Sequence, residues 1–291
     1  MTLPLDPSRL RLAVPNKGRM LEPTTSLLRD SGLSFESTAR ALVAHADNFP
    51  LDILFVRTED VIEFVGDGVA DLGITGTNLL VEAGAELPIM LELGYGRCRL
   101  EGAVPSDASA TELTDLAGMR LATSHPETTR RFFEERRISV EVVSISGAVE
   151  VAPRMGLADG IVDLVSTGST LVMNGLRSVG VLLASEAILV SGPRPSNGHA
   201  EAVDDLVTMV RSVVAGRRRK YLMMNAPREA LERIEALLPG LASPSIIPLA
   251  DERMVAVHAV VATDEVWGLL PRLRGAGASG ILVLPVEKLV P

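Results

Sequence analysis

The sequence of 291 residues has few aromatic side chains and no excess of positive charge. Aromatic residues make up only 3% of the chain, so binding of nucleic-acid bases by aromatic stacking is not expected. The net charge of −9 excludes a broad basic surface for a phosphate backbone, and the short run Arg217-Arg-Arg-Lys220 does not change this. We therefore expect no nucleic-acid partner.

The chain also lacks cysteine pairs and long apolar runs. Cys98 is the only cysteine, so neither an intrachain disulfide nor a metal–thiolate site is expected, which fits a reducing cytoplasm. Residues 1–9 lack the regions of a signal peptide, and no apolar run reaches membrane-spanning length. We expect a cytoplasmic protein with no membrane partner. No two histidines have metal-ligand spacing, and we expect no metal site built from protein side chains; the histidines are His45, His125, His199 and His258.

The apolar residues, 47% of the chain, are arranged in short strands that alternate with amphipathic helices. This pattern predicts α/β domains with mostly parallel sheets. Two expected crossings predict two lobes around a cleft, with lobe I formed by 1–97 and 184–216 and lobe II by 98–183. Residues 217–291 have the order β-α-β-β-α-β, which predicts a ferredoxin-like third domain.

One segment combines a carboxylate with a hydroxyl-rich loop. A helix is predicted from Glu150, then an apolar strand with Asp163 near its end, then a loop that opens a second helix. Such a loop offers backbone N–H groups and four hydroxyls to a phosphate, and Asp163 can accept hydrogen bonds from a sugar diol. The pattern predicts a ribose 5-phosphate site, although a plain turn in which Thr167 or Ser169 caps the helix is the alternative. The loop consists of Ser166, Thr167, Gly168, Ser169 and Thr170.

Polar residues at other strand ends are candidates for the second half of such a site. Lys17 and Arg19 flank a glycine after the first strand, where they can hold a pyrophosphate across the cleft, or simply form a solvated turn. Arg57, Asn78 and His125 each follow a predicted strand and are candidates for contact with the other substrate. For each of them, an ordinary surface or hydrogen-bonded structural role is the alternative.

These residues carry a resemblance to a known family, the ATP phosphoribosyltransferases. Residues 11–19 and 71–76 resemble its N-terminal blocks, and 221–227 and 281–288 resemble its regulatory domain, which implies the long form. The resemblance covers nearly the whole chain. The signature residues at full spacing are Glu150, Gly156, Ala158, Ile161, Asp163, Leu164, Thr167, Gly168, Thr170 and Leu171.

The resemblance implies transfer of the 5-phosphoribosyl group from phosphoribosyl pyrophosphate to N1 of ATP, the first step of histidine biosynthesis. It also implies Mg²⁺ held mainly by pyrophosphate and water, a core like the type II periplasmic binding proteins, assembly as a homo-oligomer from dimer to hexamer, and inhibition by histidine.

The resemblance also implies roles for individual residues. Asp163 would bind the ribose hydroxyls with Glu150 as a second candidate, and Ser166–Thr170 would bind the 5-phosphate. Lys17 and Arg19 would face the pyrophosphate or triphosphate. The ATP side would include Arg57, Asn78 and His125, the last at a position where some members of the family carry tyrosine. The histidine pocket would include Ser245, Ala278 and Ser279.

The sequence leaves two alternatives open. One is a cytoplasmic two-lobed sensor for a small molecule, without catalysis. The other is a phosphoribosyltransferase of the common type, which carries two adjacent acidic residues before its threonine-rich loop. Val162 precedes Asp163 here, which argues against that second alternative.

Overall fold

The computed structural model describes residue 6 and the ranges 8–36, 42–192, 199–238 and 243–290. Contacts between residues divide the chain into two compact units. The first consists of Met1–Ser26 and Leu33–Asp204, and the second of Leu27–Gly32 and Asp205–Pro291. The first unit contains two sheets, and the second contains one.

The strands along the chain are β1 (Leu10–Pro15), β2 (Val43–His45), β3 (Leu51–Val56), β4 (Leu72–Gly76), β5 (Ile89–Glu92), β6 (Cys98–Pro105), β7 (Arg120–Thr123), β8 (Glu141–Ser144), β9 (Gly160–Val165), β10 (Leu176–Ser185), β11 (Ala187–Ser191), β12 (Arg219–Pro227), β13 (Ser245–Pro248), β14 (Met254–Ala262) and β15 (Ser279–Pro285). The helices are α1 (Leu21–Asp30), α2 (Val61–Gly66), α3 (Thr77–Glu82), α4 (Pro126–Glu135), α5 (Ser169–Met173), α6 (Ala200–Arg217), α7 (Leu231–Glu235) and α8 (Val266–Gly275).

The first sheet has the strand order β2-β3-β1-β4-β11-β5. Its central strands β3, β1 and β4 are parallel, and β3 reads LDILFV with five buried residues, as expected for a strand covered on both faces. The second sheet has the order β10-β6-β9-β7-β8. Two α/β lobes are therefore present, as the sequence predicts. Their sheets are mixed rather than mostly parallel, because β2, β5, β6, β10 and β11 each have antiparallel neighbours. β11 lies between β4 and β5 after the chain returns from the second sheet.

The two crossings between these sheets lie close to the predicted positions. The chain leaves the first sheet after β5 and enters β6 at Cys98. It returns at Glu186, because β10 continues to Ser185 and so keeps residues 184 and 185 in the second sheet. Both passages connect the lobes through short segments of one compact unit.

The third sheet is antiparallel, with the order β13-β14-β12-β15. Alternate residues of β14 are buried, so one face of this sheet packs on α7 and α8 in a separate apolar core. The predicted β-α-β-β-α-β order is confirmed. The predicted domain start at residue 217 stays a prediction, because α6 runs unbroken through the division between the two units.

Several local predictions were wrong. The helix predicted from Glu150 is a single 3₁₀ turn, Val149–Val151, because Pro153 lacks an N–H donor and Gly156 adopts a φ of +69°. The sequence also predicts a helix over 227–238, with Pro227 in its first turn. The structure confines this helix to a 3₁₀ turn and α7, and Pro227 ends β12 instead. Pro239-Gly240, predicted to end that helix, lies outside the described residues. The short strands β2 and β5 were not predicted.

None of the helices in the described ranges is long and apolar enough to cross a membrane.

Candidate functional site

The predicted phosphate loop lies between β9 and α5, where Gly168 occupies the position before the helix. Gly168 has a φ of +80°, the left-handed conformation that glycine adopts without strain. The hydroxyls of Thr167 and Ser169 hydrogen-bond each other over 2.9 Å, and no described side chain caps α5. The capping role considered for these two hydroxyls is therefore wrong. Because α5 has only five residues, an anion here would rely on loop amides and hydroxyls more than on a helix dipole.

Asp163 lies half-buried in β9, three residues before the loop. Burial raises the pKa of its carboxyl group, and the nearby carboxylate of Glu150 raises it further, whereas a hydrogen bond from the Leu164 N–H lowers it. That hydrogen bond reaches Asp163 Oδ1 over 2.8 Å. The site therefore holds two carboxylates that repel each other, which favours ligands that bring hydrogen-bond donors or positive charge.

The turn after β1 carries Lys17 and Arg19 and is called the cation loop. It belongs to the first sheet and contacts the phosphate loop, Ser166–Thr170, of the second sheet. Arg19 donates a hydrogen bond from Nη1 to the Ser166 hydroxyl, although 147 residues separate them. Lys17 is exposed on the same turn, which Gly18 permits with a φ of +75°. Arg57 is exposed directly after β3, the strand that pairs with β1. The structure thus joins Arg19 to the loop, while the roles of Lys17 and Arg57 stay predictions.

Asn78 and His125 are buried and bind each other, so their side chains already have protein partners. Asn78 Nδ2 lies 2.9 Å from His125 Nε2, and the two residues are 7% and 4% exposed. Asn78 Oδ1 accepts a hydrogen bond from Ser185 Oγ over 2.8 Å, which directs its amide N–H toward the histidine. Burial lowers the pKa of His125, and neutral His125 can then donate from Nδ1 to Ser124 Oγ at 3.0 Å. A direct contact of either side chain with ATP stays a prediction that this geometry does not support.

A cavity of about 470 Å³ lies beside the phosphate loop at the two crossings. The charged residues that line it were not predicted from the sequence. Arg99 Nε lies 2.6 Å from Glu101 Oε1, and Arg97 Nε lies 3.7 Å from Glu186 Oε2. A sequence signal existed in the two arginines that flank Cys98 at the crossing, but only the fold places them near Ser166. The cavity is lined in part by Thr77, Arg97, Arg99, Ser166, Ser185 and Glu186.

The candidate effector residues do not meet within one chain. Ser245 begins β13 and Ser279 begins β15, the two opposite edges of the third sheet. Three strand spacings separate these edges, roughly 14 Å at about 4.8 Å per strand. Ala278 is buried in the core under the sheet. A single small ligand therefore cannot touch both serines of one chain.

The described residues contain no group of three or more His, Cys, Asp or Glu side chains that could hold a metal ion.

Comparisons with known proteins assign the chain to a family. Residues 57–212 match the family described as ATP phosphoribosyltransferase, and residues 216–288 match the family described as "HisG, C-terminal domain". A protein named ATP phosphoribosyltransferase from Gemmatimonas aurantiaca is 47% identical over 97% of this chain and 100% of its own length. One from Bacteroides thetaiotaomicron is 42% identical over 97% and 99%.

A solved structure supports the same assignment for the two-lobed core. A chain of the "ATP phosphoribosyl transferase (HisG:HisZ) complex from Thermotoga maritima" is 29% identical, with a TM-score of 0.61, over 69% of this chain and 95% of that chain. The additional match at 216–288 confirms the predicted long form. The family assignment excludes the alternative of a small-molecule sensor without catalysis. The chain therefore belongs to the ATP phosphoribosyltransferase family and is the transferase of the first step of histidine biosynthesis.

Proposed function

We propose that phosphoribosyl transfer takes place in the cleft between the first and second sheets, with phosphoribosyl pyrophosphate bound to the second. Its 5-phosphate would bind the loop Ser166–Thr170, and its ribose hydroxyls would bind Asp163. The observation that carries this proposal is the half-buried carboxylate of Asp163, which lies three residues before a loop of hydroxyls and a left-handed glycine. Glu150 would add a second acceptor for the diol.

The reaction needs positioning and charge stabilisation more than a protein nucleophile. Adenine N1 forms a bond to the anomeric carbon while the bond from that carbon to pyrophosphate breaks, and positive charge develops on the ribose ring. The carboxylates of Asp163 and Glu150 would stabilise this charge, because they lie where the ribose would bind. Lys17 and Arg19 would neutralise the departing pyrophosphate from the opposite lobe.

The cavity at the crossings offers room for the remaining part of the two substrates. Arg97 and Arg99 line it beside Ser166. Each would exchange its glutamate partner, Glu186 or Glu101, for an oxygen of the triphosphate or pyrophosphate. We propose that Mg²⁺ arrives bound to these phosphate groups, since magnesium prefers oxygen ligands and retains several waters. The ion would supply charge neutralisation, and Lys17 and Arg19 would hold the complex in place.

The glycine of the loop provides a direct test of phosphate binding. Gly168→Ala would place a side chain at a φ of +80° with nothing within 4 Å, so backbone strain would be the only change. We expect the free loop to relax from this strained conformation, so that binding would have to restore it at a cost of about 1–2 kcal/mol. Ribose 5-phosphate should then bind roughly 5- to 30-fold more weakly in calorimetry.

Gly175→Ala is the matched control, because Gly175 follows α5 with a φ of +70° and equally open surroundings. This variant should lose a similar amount of stability and bind ribose 5-phosphate like the parent protein. Equal binding by both variants would contradict the assignment of the loop.

We also propose that the chain acts in the cytoplasm as a homo-oligomer, dimer to hexamer, that histidine inhibits through the third sheet. The support is the separation of Ser245 and Ser279 on opposite sheet edges, which a pocket shared between chains would overcome. Ser245→Tyr fills the space at one exposed edge without touching the core. We expect at least about tenfold weaker histidine inhibition, equivalent to about 1.4 kcal/mol, with the rate without histidine unchanged. Unaltered inhibition in both Ser245→Tyr and Ser279→Tyr would count against this site.

A further inference from the structure

The first turn of α4 receives its cap from a different helix. His125 precedes α4 at the capping position, but its side chain makes no capping hydrogen bond. Instead, Glu82 Oε1 accepts a hydrogen bond from the Glu127 N–H over 2.9 Å. Glu82 Oε2 accepts two more, from the Thr128 N–H over 2.8 Å and from Thr128 Oγ1 over 2.7 Å. A carboxylate at a helix N-terminus binds the free amides with charge-assisted hydrogen bonds.

This contact joins the two lobes of the core. Glu82 ends α3, which follows β4 of the first sheet, whereas α4 follows β7 of the second sheet. Asn78 lies one helical turn before Glu82 and binds His125, directly before α4. Residues four apart share a helix face, so α3 holds the start of α4 at two points. Two contacts one turn apart restrict rotation of one lobe against the other more than a single contact would.

The same contact bears on the distance between the two binding loops. β4 lies beside β1, which carries the cation loop, and β7 lies beside β9, which carries the phosphate loop. The hydrogen bond from Arg19 to Ser166 shows that these loops meet in this arrangement. Any shift of α4 against α3 would therefore move the phosphate loop relative to the cations of the other lobe.

We propose that Glu82 is a positioning residue for phosphoribosyl transfer, which fixes the separation of the two lobes by capping α4 from α3. The inference rests on the proposed division of the substrates between the lobes. Glu82 would not touch a substrate. Its contribution would come from keeping N1 of adenine and the anomeric carbon within reacting distance, where a misplacement of about 1 Å can slow a reaction about 100-fold.

Replacement of Glu82 separates positioning from substrate binding. In Glu82→Ala we expect kcat to fall about 10- to 100-fold, since the reacting atoms would be held less well. Binding of ribose 5-phosphate, which would contact the phosphate loop, Asp163 and Glu150, should remain within about twofold of the parent. Glu82→Gln keeps one oxygen acceptor for α4, so its kcat should lie between those of Glu82→Ala and the parent. If Glu82→Ala does not fold, Glu82→Gln takes its place as the test.

Glu127→Ala is the matched control, because it removes a carboxylate from the same first turn but leaves the backbone N–H that Glu82 binds. The Glu127 side chain pairs with Arg130 on the surface. Its kcat should stay within about twofold of the parent. The melting temperature of each variant is measured, and its activity is assayed well below that temperature. A lower kcat then cannot come from unfolding of the variant.

Two results would overturn the inference: an unchanged kcat in folded Glu82→Ala or Glu82→Gln, or a fall in kcat that Glu127→Ala reproduces. A lowered melting temperature with an unchanged kcat would show that Glu82 only caps α4. Failure of the parent protein to bind ribose 5-phosphate would instead contradict the proposed phosphate loop. Failure of the inference and failure of the proposed function therefore have different readouts.

Discussion

Asp163→Asn is expected to slow phosphoribosyl transfer about 100- to 1,000-fold. Two charge-assisted hydrogen bonds to the ribose diol, each worth about 1.5–3 kcal/mol, would be weakened, and the negative charge that faces the developing positive charge would be lost. The ultraviolet change that accompanies substitution at adenine N1 measures the rate with ATP, Mg²⁺ and phosphoribosyl pyrophosphate.

The same substitution should not destabilise the protein. Burial and the Glu150 carboxylate raise the pKa of Asp163, so the folded protein holds this proton more tightly than the unfolded chain does. The free energy of unfolding therefore falls as the pH rises from the ordinary aspartate pKa through the raised one, and the penalty is complete above it. Asp163→Asn removes that penalty, and we expect an equal or higher melting temperature at neutral pH. Activity should decline on acidification at a higher pH than an ordinary aspartate would give.

Asp159→Asn is the control for the first prediction. Asp159 is exposed directly before β9 and accepts a hydrogen bond from the Arg120 N–H over 2.8 Å. Loss of its charge should leave the transfer rate within about threefold of the parent, because the residue lies at the opposite end of the strand from the loop. A rate for Asp163→Asn as high as that of Asp159→Asn would refute the proposed binding of the diol.

Asp52→Ala is expected to have the opposite profile: a large loss of stability with little change in kcat for the folded protein. Asp52 is fully buried in β3, and its Oδ1 accepts hydrogen bonds from Arg9 Nε over 2.6 Å and His45 Nδ1 over 2.8 Å. Removing one partner of a buried ion pair costs about 3–5 kcal/mol, and we expect the lower part of this range because the Arg9 side chain is 25% exposed. The melting temperature should fall by roughly 6–15 °C.

The contrast with His45→Ala tests whether the buried pair with Arg9 accounts for this loss. The His45 side chain is 52% exposed, so its contact with Asp52 should contribute less than about 1 kcal/mol. Thermal and urea unfolding measure both variants. Equal losses of stability would show that the pair between Arg9 and Asp52 is not the main contribution. Asp52 lies at the N-terminal end of its strand, whereas the binding loops follow strand C-termini, so kcat should be preserved.

Much of the fold was predictable because its signals are local. The apolar run of β3, the strand and loop around Asp163 and the β-α-β-β-α-β order are each encoded within short segments. Prediction was wrong where local signals competed. The residues after Glu150 favour a helix, but Pro153 and Gly156 interrupt it and leave a single 3₁₀ turn. The short strands β2 and β5 lack an apolar run that could identify them without their neighbours in the sheet.

The sequence by itself determined the family, the two kinds of domain and the segment that carries Asp163, because each depends on residue type and spacing along the chain. Tertiary structure alone decided the pairings. Arg19 meets Ser166, Asn78 turns inward to His125, and Glu82 caps α4, although 45 to 147 residues separate the partners. Such contacts depend on how two sheets place their strand ends in space. That arrangement is a property of the packed core, and no local pattern records it.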